Sequence, residues 1–166
     1  PMAIPYTGFH PLRQAAQADP EGHFVLLQAW AVARKAEPLA RDGKWAEAQA
    51  AADRIAALAR VDAIYASPLE RARETAAPIG KARGLKVGVD KGLLECDFGE
   101  WTGGELKKLM KLPEWNTVQR APSTFRFPGG ESFTEMQGRM IGTIDRLRAA
   151  HEGGVIVCVS HADTIK

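Results

Sequence analysis

Only two cysteines occur in the 166 residues, Cys96 and Cys158, far apart and in no metal-type spacing. A disulfide scaffold and a cysteine-built metal site are thereby excluded. Blocks of lysine and arginine are missing too, and a formal net charge of +2 is too small to make nucleic acid the main partner. No apolar run approaches the roughly 20 residues of a membrane-spanning helix, and the N-terminus shows no charged-then-apolar signal pattern. The expectation is a cytoplasmic protein with neither a nucleic-acid nor a membrane partner. What is present, 45% hydrophobic and 25% charged residues, describes an ordinary globular chain long enough for one sizeable core. Neither an internal repeat nor a low-complexity tract interrupts it.

Residues 1–22 carry proline and glutamine without a sustained period and read as an irregular leader. A single domain is expected over residues 23–166. It opens with the strand candidate His23-Phe24-Val25-Leu26-Leu27. Over residues 44–59, Trp45, Ala48, Ala52, Ile55 and Leu58 recur at helical spacing. A strand over 61–65 breaks at Ser67-Pro68, and a helix restarts with Leu69, Ala72, Ala76 and Ile79 on one face. Residues 86–89 suggest a short strand, and 105–111 and 113–120 two short helices. Ser132 and Glu135 make a capping box ahead of a helix whose buried face is Phe133, Met136, Met140, Ile144 and Leu147. Residues 155–160 form the last strand, with Cys158 as a small buried apolar residue. Strands alternating with helices argue for a mostly parallel sheet covered on both faces, a three-layer α/β/α arrangement.

Three places carry chemistry. At the first, Ser67 is expected as N-cap, Pro68 as first helical residue and Glu70 as the partner that completes a capping box. A helix N-terminus draws anions, and Arg71 and Arg73 add cationic forks suited to phosphate. The alternative is a solvated basic face. At the second, His161 in Ser160-His161-Ala162-Asp163 follows an apolar strand directly, at the end of the sheet where ligands of α/β proteins bind. It can donate to a phosphate oxygen or move a proton; the alternative is a packing histidine. Neighbours so close in sequence do not form a nucleophilic triad. The third is Glu95, whose neighbours Leu93, Leu94 and Phe98 favour a raised pKa and a general acid. A plain surface acid is the alternative there, and Asp97 and Glu100 are rival carboxylates. Trp101, Trp115, Phe125 and Phe127 either line a substrate cap or fill a core.

Together, residues 62–76, 94–103, 128–132 and 155–162 resemble the histidine phosphatase superfamily, the phosphoglycerate-mutase-like group, and in particular its actinobacterial phosphatase or phosphomutase-like members. The four motifs occur in the family's order and the resemblance spans residues 44–166. It implies that Arg71 binds phosphate, Glu95 protonates the leaving group and later activates water, and His161 holds the transferring phosphoryl group. Ala162 takes the small position after it, and Ser67 lies beside the bound phosphate. The substrate would be a small phosphorylated metabolite, processed by a phosphatase or a mutase through a phosphohistidine, with no metal or other cofactor.

The chain departs from that family in one decisive respect. The family's nucleophile is the histidine of an Arg-His-Gly motif after the first strand, whereas here Gln28-Ala29-Trp30-Ala31 follows. The four histidines, His10, His23, His151 and His161, include no substitute in that place. The codons CAG GCA TGG GCN encode Gln-Ala-Trp-Ala, and the same bases read one position later encode Arg-His-Gly. A shifted reading frame over residues 28–44 therefore stands beside divergence to a non-catalytic phosphate-binding pseudophosphatase. In either case weak or absent turnover is expected. Family domains also continue beyond the equivalent of Lys166, so the fold is expected to be incomplete at its C-terminus and inclined to self-association as a homo-oligomer.

Overall fold

As a computed structural model, the chain is described over residues 24–28, as backbone, and over residues 60–165. The leader at 1–22, His10, His23, the helix expected over 44–59 and the segment after Gln28 lie outside the described residues. The apolar stretches form four strands: β1 (Phe24–Gln28), β2 (Ala63–Ala66), β3 (Val87–Val89) and β4 (Ile156–Ser160). They make one parallel sheet in the order β1-β4-β2-β3. β4 is buried at all five positions, as a central strand covered on both faces requires.

Alternation along the strands sorts the core into two layers. Ile64, Ala66, Val157 and Val159 meet Ala72, Ala76 and Ile79 of α1 (Glu70–Arg83). Ala63, Tyr65, Ile156 and Cys158 point the other way, toward Leu93 and toward Met140, Ile144 and Leu147 of α4 (Phe133–Ala150). Helices therefore lie on both faces, and the expected three layers are present. α4 begins where the sequence places it: Ser132 Oγ accepts the Glu135 N–H, and the Glu135 carboxylate accepts the Ser132 N–H. Its last residue precedes His151, whose Nε2 pairs with the Tyr65 hydroxyl at 2.8 Å. Among the described residues, no helix is long and apolar enough to cross a membrane.

The start of α1 differs from expectation. The helix begins at Glu70, its N-cap is Leu69, and no side chain caps it. Ser67 Oγ instead lies 2.7 Å from His161 Nε2 and accepts the Leu69 N–H at 3.3 Å. A tertiary partner has claimed the hydroxyl that local geometry alone would have aimed at the helix.

Residues 96–133 pack a core of their own. Phe98, Trp101, Trp115, Phe125 and Phe127 join Leu109 of α2 (Leu106–Leu109), Val118 of α3 (Glu114–Arg120) and Met136 of α4. Trp101 stacks on Trp115 at 6.2 Å, and Phe127 meets Phe98, Phe125 and Phe133 edge-on. Trp101, Trp115, Phe125 and Phe127 are core.

This side core holds the 97–100 loop against the 128–130 turn, main chain to main chain. Glu100 N–H donates to Pro128 O at 2.8 Å and Glu131 N–H to Asp97 O at 3.0 Å. Gly99 has φ +51°, and a Cβ built there would lie 2.1 Å from Pro128 O. Gly99→Ala should therefore cost about 3 kcal/mol, strain and overpacking combined. Gly153, at φ +68° with nothing within 4 Å of a built Cβ, is the control, and its alanine should cost about 1 kcal/mol. Urea denaturation of both variants measures the difference; equal costs would show that the backbone contact carries none of it.

Candidate active site

Parallel strands deliver their carboxyl ends to one edge of the sheet. β1 and β4 end together there, with Gln28 paired to Ser160, the residue before His161. Ser67 N–H bonds Val159 O at 2.9 Å, and Asp90 N–H bonds Ala66 O at 3.0 Å. Ser67, the 90–95 loop and His161 thus emerge side by side.

His161 is fully buried. Its Nε2 meets Ser67 Oγ, while Nδ1 has no hydrogen-bond partner among the described residues and lies 3.9 Å from Glu95 Oε2. The other carboxyl oxygen is occupied: Oε1 accepts the Cys96 N–H at 3.2 Å and the Thr164 hydroxyl at 3.0 Å. Thr164 belongs to the short helix α5 (Ala162–Ile165), which starts with the buried Ala162. Arg71, in the first turn of α1, buries its Nε without a hydrogen-bond partner among the described residues. Glu95, His161, Arg71, Ser67 and Ala162 are therefore gathered at one place. Asp97 and Glu100 are exposed, and Asp97 Oδ1 accepts the Gly99 N–H.

The electrostatics of the pair decide its state. Burial pushes the Glu95 carboxyl above the usual glutamate range, against the opposing pull of the Cys96 N–H, the Thr164 hydroxyl, Arg71 and Arg139. Burial, with Arg71 and Arg139 adding positive charge, pushes His161 down to about 3. Glu95 and His161 at 3.9 Å are consequently not an ion pair: the imidazole is neutral at physiological pH and the carboxyl holds its proton longer than usual. Environments that drive two titratable groups apart in this way mark acid and acceptor roles. Buried polar atoms without partners cost about 1–3 kcal/mol each, and the Arg71 N–H and a neutral imidazole suit the oxygens of a phosphoryl group.

Other functional contacts were not visible in the sequence. Arg139, half-buried on α4, donates to Gly92 O, Leu94 O and Glu95 O and pairs with Glu131. Ser160 Oγ donates to Leu93 O at 2.8 Å. An arginine three residues after Met136 and four before Thr143, on the flank of a buried helical stripe, is the one hint available. Glu131 was apparent only as part of a turn.

His161 makes a pH prediction. Its folded-state pKa lies below the ordinary 6.5, so the unfolded chain takes up the proton first. Stability should fall as pH drops from 6.5 toward 3, by up to about 1 kcal/mol per pH unit. Denaturation at pH 7 and pH 5 should show that loss in the wild type and a flatter response in His161→Asn. Equal slopes would remove His161 as the source.

Comparison with known proteins agrees with the geometry. The profile of the histidine phosphatase superfamily (branch 1) matches residues 28–166. A bifunctional protein of Mycobacterium tuberculosis is 35% identical over 123 residues, covering 74% of this chain and 34% of that protein. Phosphoserine phosphatase 1 of Hydrogenobacter thermophilus is 35% identical over 103 residues, covering 61% and 49%. The chain thus spans half or less of the length of these curated relatives. Among solved structures, a mycobacterial glucosyl-3-phosphoglycerate phosphatase superposes with a TM-score of 0.65 at 29% identity, covering 72% of this chain and 61% of its own. YhfR of Bacillus stearothermophilus gives 0.66 at 26% identity, covering 72% and 59%. With the family profile matched over residues 28–166 and the fold shared with these solved structures, the chain belongs to the histidine phosphatase superfamily, branch 1.

Proposed function

We propose that this site binds the phosphoryl group of a small phosphorylated metabolite and that the reaction it is shaped for is phosphomonoester hydrolysis. The observation that carries the reading is the convergence of Glu95 Oε2, His161 Nδ1 and Arg71 at the carboxyl edge of the sheet. Arg71 and His161 hold the phosphoryl oxygens, where charge spreads in the transition state. With a nucleophilic histidine to take the phosphoryl group, Glu95 would give its proton to the leaving oxygen and, once ionised, take one from the water that displaces that histidine from phosphorus to release phosphate. Ser67 keeps the His161 ring in place, and Ala162 leaves room beside it. Phosphatases among the similar proteins support hydrolysis, although a phosphoglycerate mutase-like protein of Arabidopsis thaliana is similar as well.

The second reading, a phosphate-binding module without turnover, is favoured by the missing Arg-His-Gly. The two readings predict the same binding and different chemistry. Vanadate is a suitable probe, since the mycobacterial phosphatase has been solved in complex with VO3. Calorimetric titration should show vanadate binding, weakened about 10- to 100-fold by Arg71→Ala; no binding by the wild type would overturn both readings.

The chemistry is tested by restoring the nucleophile. β1 reaches the site edge at Gln28, so Gln28→Arg, Ala29→His and Trp30→Gly together should raise aryl phosphate hydrolysis above the weak or absent wild-type rate. Glu95→Gln in that background should lower it by about 100-fold or more, as loss of a general acid does. Vanadate binding with no gain of turnover in the triple variant would favour the module, provided the codons for residues 28–44 show no shifted frame. Genomic codons 24–45 decide separately whether a frame shift or divergence removed the motif.

A further inference from the structure

The residue that holds Glu95 in place sits on another element. Residues 90–97 contain only one short turn of helix, Lys91–Leu93, so most of their carbonyls have no partner within the loop. Arg139 answers with all five of its N–H donors. Nη1 donates to Gly92 O at 2.8 Å and Leu94 O at 3.0 Å; Nη2 donates to Glu95 O at 3.3 Å and Glu131 Oε1 at 2.6 Å; Nε donates to Glu131 Oε2 at 3.3 Å. Glu131 Oε1 also accepts the Asp97 N–H at 2.9 Å, at the far end of the same segment. The guanidinium therefore closes on the main chain of Glu95 and of two residues before it, while its counter-ion holds the residue two places after.

We propose that Arg139, locked by Glu131, is the positioning residue of the Glu95 carboxyl, turning Oε1 onto Cys96 N–H and Thr164 and presenting Oε2 to His161. The inference rests on the reading of Glu95 as the acid and names what orients it. Arg139 does not touch the reacting atoms; it acts through the loop. A planar fork is needed, because a lysine offers three donors from a single point and cannot span the carbonyls and the carboxylate together.

The charged and titratable groups around Glu95 are Arg71 from α1, Arg139 from α4, His161 after β4 and the adjacent Cys96, which in turn faces Glu131 and Asp163. Arg139→Lys keeps the positive charge and removes the fork, which separates geometry from field. The experiment is a carbon-13 NMR titration of the Glu95 side-chain carboxyl in the full chain, with amide exchange of Cys96 followed in parallel. In the wild type, Glu95 should titrate above the ordinary glutamate range. In a folded Arg139→Lys variant, the released loop admits water, the midpoint should fall toward the ordinary glutamate value, and Cys96 N–H should exchange faster.

An unchanged midpoint and unchanged exchange would overturn the proposal, because a merely stabilising arginine would alter only the melting temperature. Should Arg139→Lys fail to fold, Glu131→Gln decides. That variant leaves the carbonyl contacts available but removes the charge that locks the guanidinium, and the same two signals should move in the same direction; no movement would again overturn the proposal. The titration needs no bound ligand, so its outcome is separable from vanadate binding. A midpoint that moves in a chain that binds no vanadate would keep the clamp and remove the phosphate site, and the converse would remove only the clamp.

Discussion

Four consecutive carbonyls, those of Gly92, Leu93, Leu94 and Glu95, all accept from side chains, and the site depends on that fact. Arg139 supplies the first, third and fourth, Ser160 the second, and Thr164 shares the third. A segment with a single helical turn would otherwise bury these main-chain acceptors without donors, at a cost comparable to a lost hydrogen bond for each. The donors come from α4, the end of β4 and α5, so the loop is fixed only once those elements have assembled. Two further contacts tighten the same joint. Arg146 pairs with Asp90 at 2.7 Å, and Gly92 approaches Thr143 so closely that a Cβ built there would fall 1.8 Å from Thr143 Oγ1.

Fixing the loop also fixes the electrostatics. Glu95 is raised because burial outweighs two arginines and two hydrogen bonds; a mobile, hydrated carboxyl would titrate normally. The same burial acts on His161 with the arginines on its side, so both influences lower it. One set of walls therefore moves a carboxyl up and an imidazole down. The arginine charge that opposes Glu95 protonation is the charge an incoming phosphoryl group would neutralise. Binding an anion beside Arg71 would raise the Glu95 proton affinity further, at the moment a proton donor is needed.

How much of this could be read in the sequence varies with the range of the interaction. The strands, the Ser132 capping box and the α4 stripe rest on contacts within a few residues, and they were legible. Glu95 and His161 could be singled out because each sits in an apolar context visible locally, and the structure brings them within 3.9 Å of each other. Ser67 misled because its hydroxyl had two available uses, and the choice between a cap at Leu69–Glu70 and a bond to His161 is made 94 residues away. Arg139 left only a weak trace: its acceptors are carbonyls more than 40 residues upstream, and any residue type supplies a carbonyl. The aromatic residues were recognisable as a group, but their role as core follows from mutual packing that spacing alone does not reveal.

The missing Arg-His-Gly can be weighed against this architecture. If the catalytic role had been abandoned long ago, nothing would maintain a desolvated carboxyl or, among the described residues, a ring nitrogen of His161 and an Nε of Arg71 without hydrogen-bond partners, because each costs folding free energy. A surface of ordinary polar residues would be more stable, and mutation erodes costly features that have no use. All three persist around one point, together with the five-donor bracket that holds the carboxyl. Such costs fit a site that would meet an anion, as the proposed function requires. On the proposed reading, that favours either continued phosphate binding or a recent loss confined to residues 28–44, where one choice of codons would restore the motif in another frame, over gradual decay of the whole machinery.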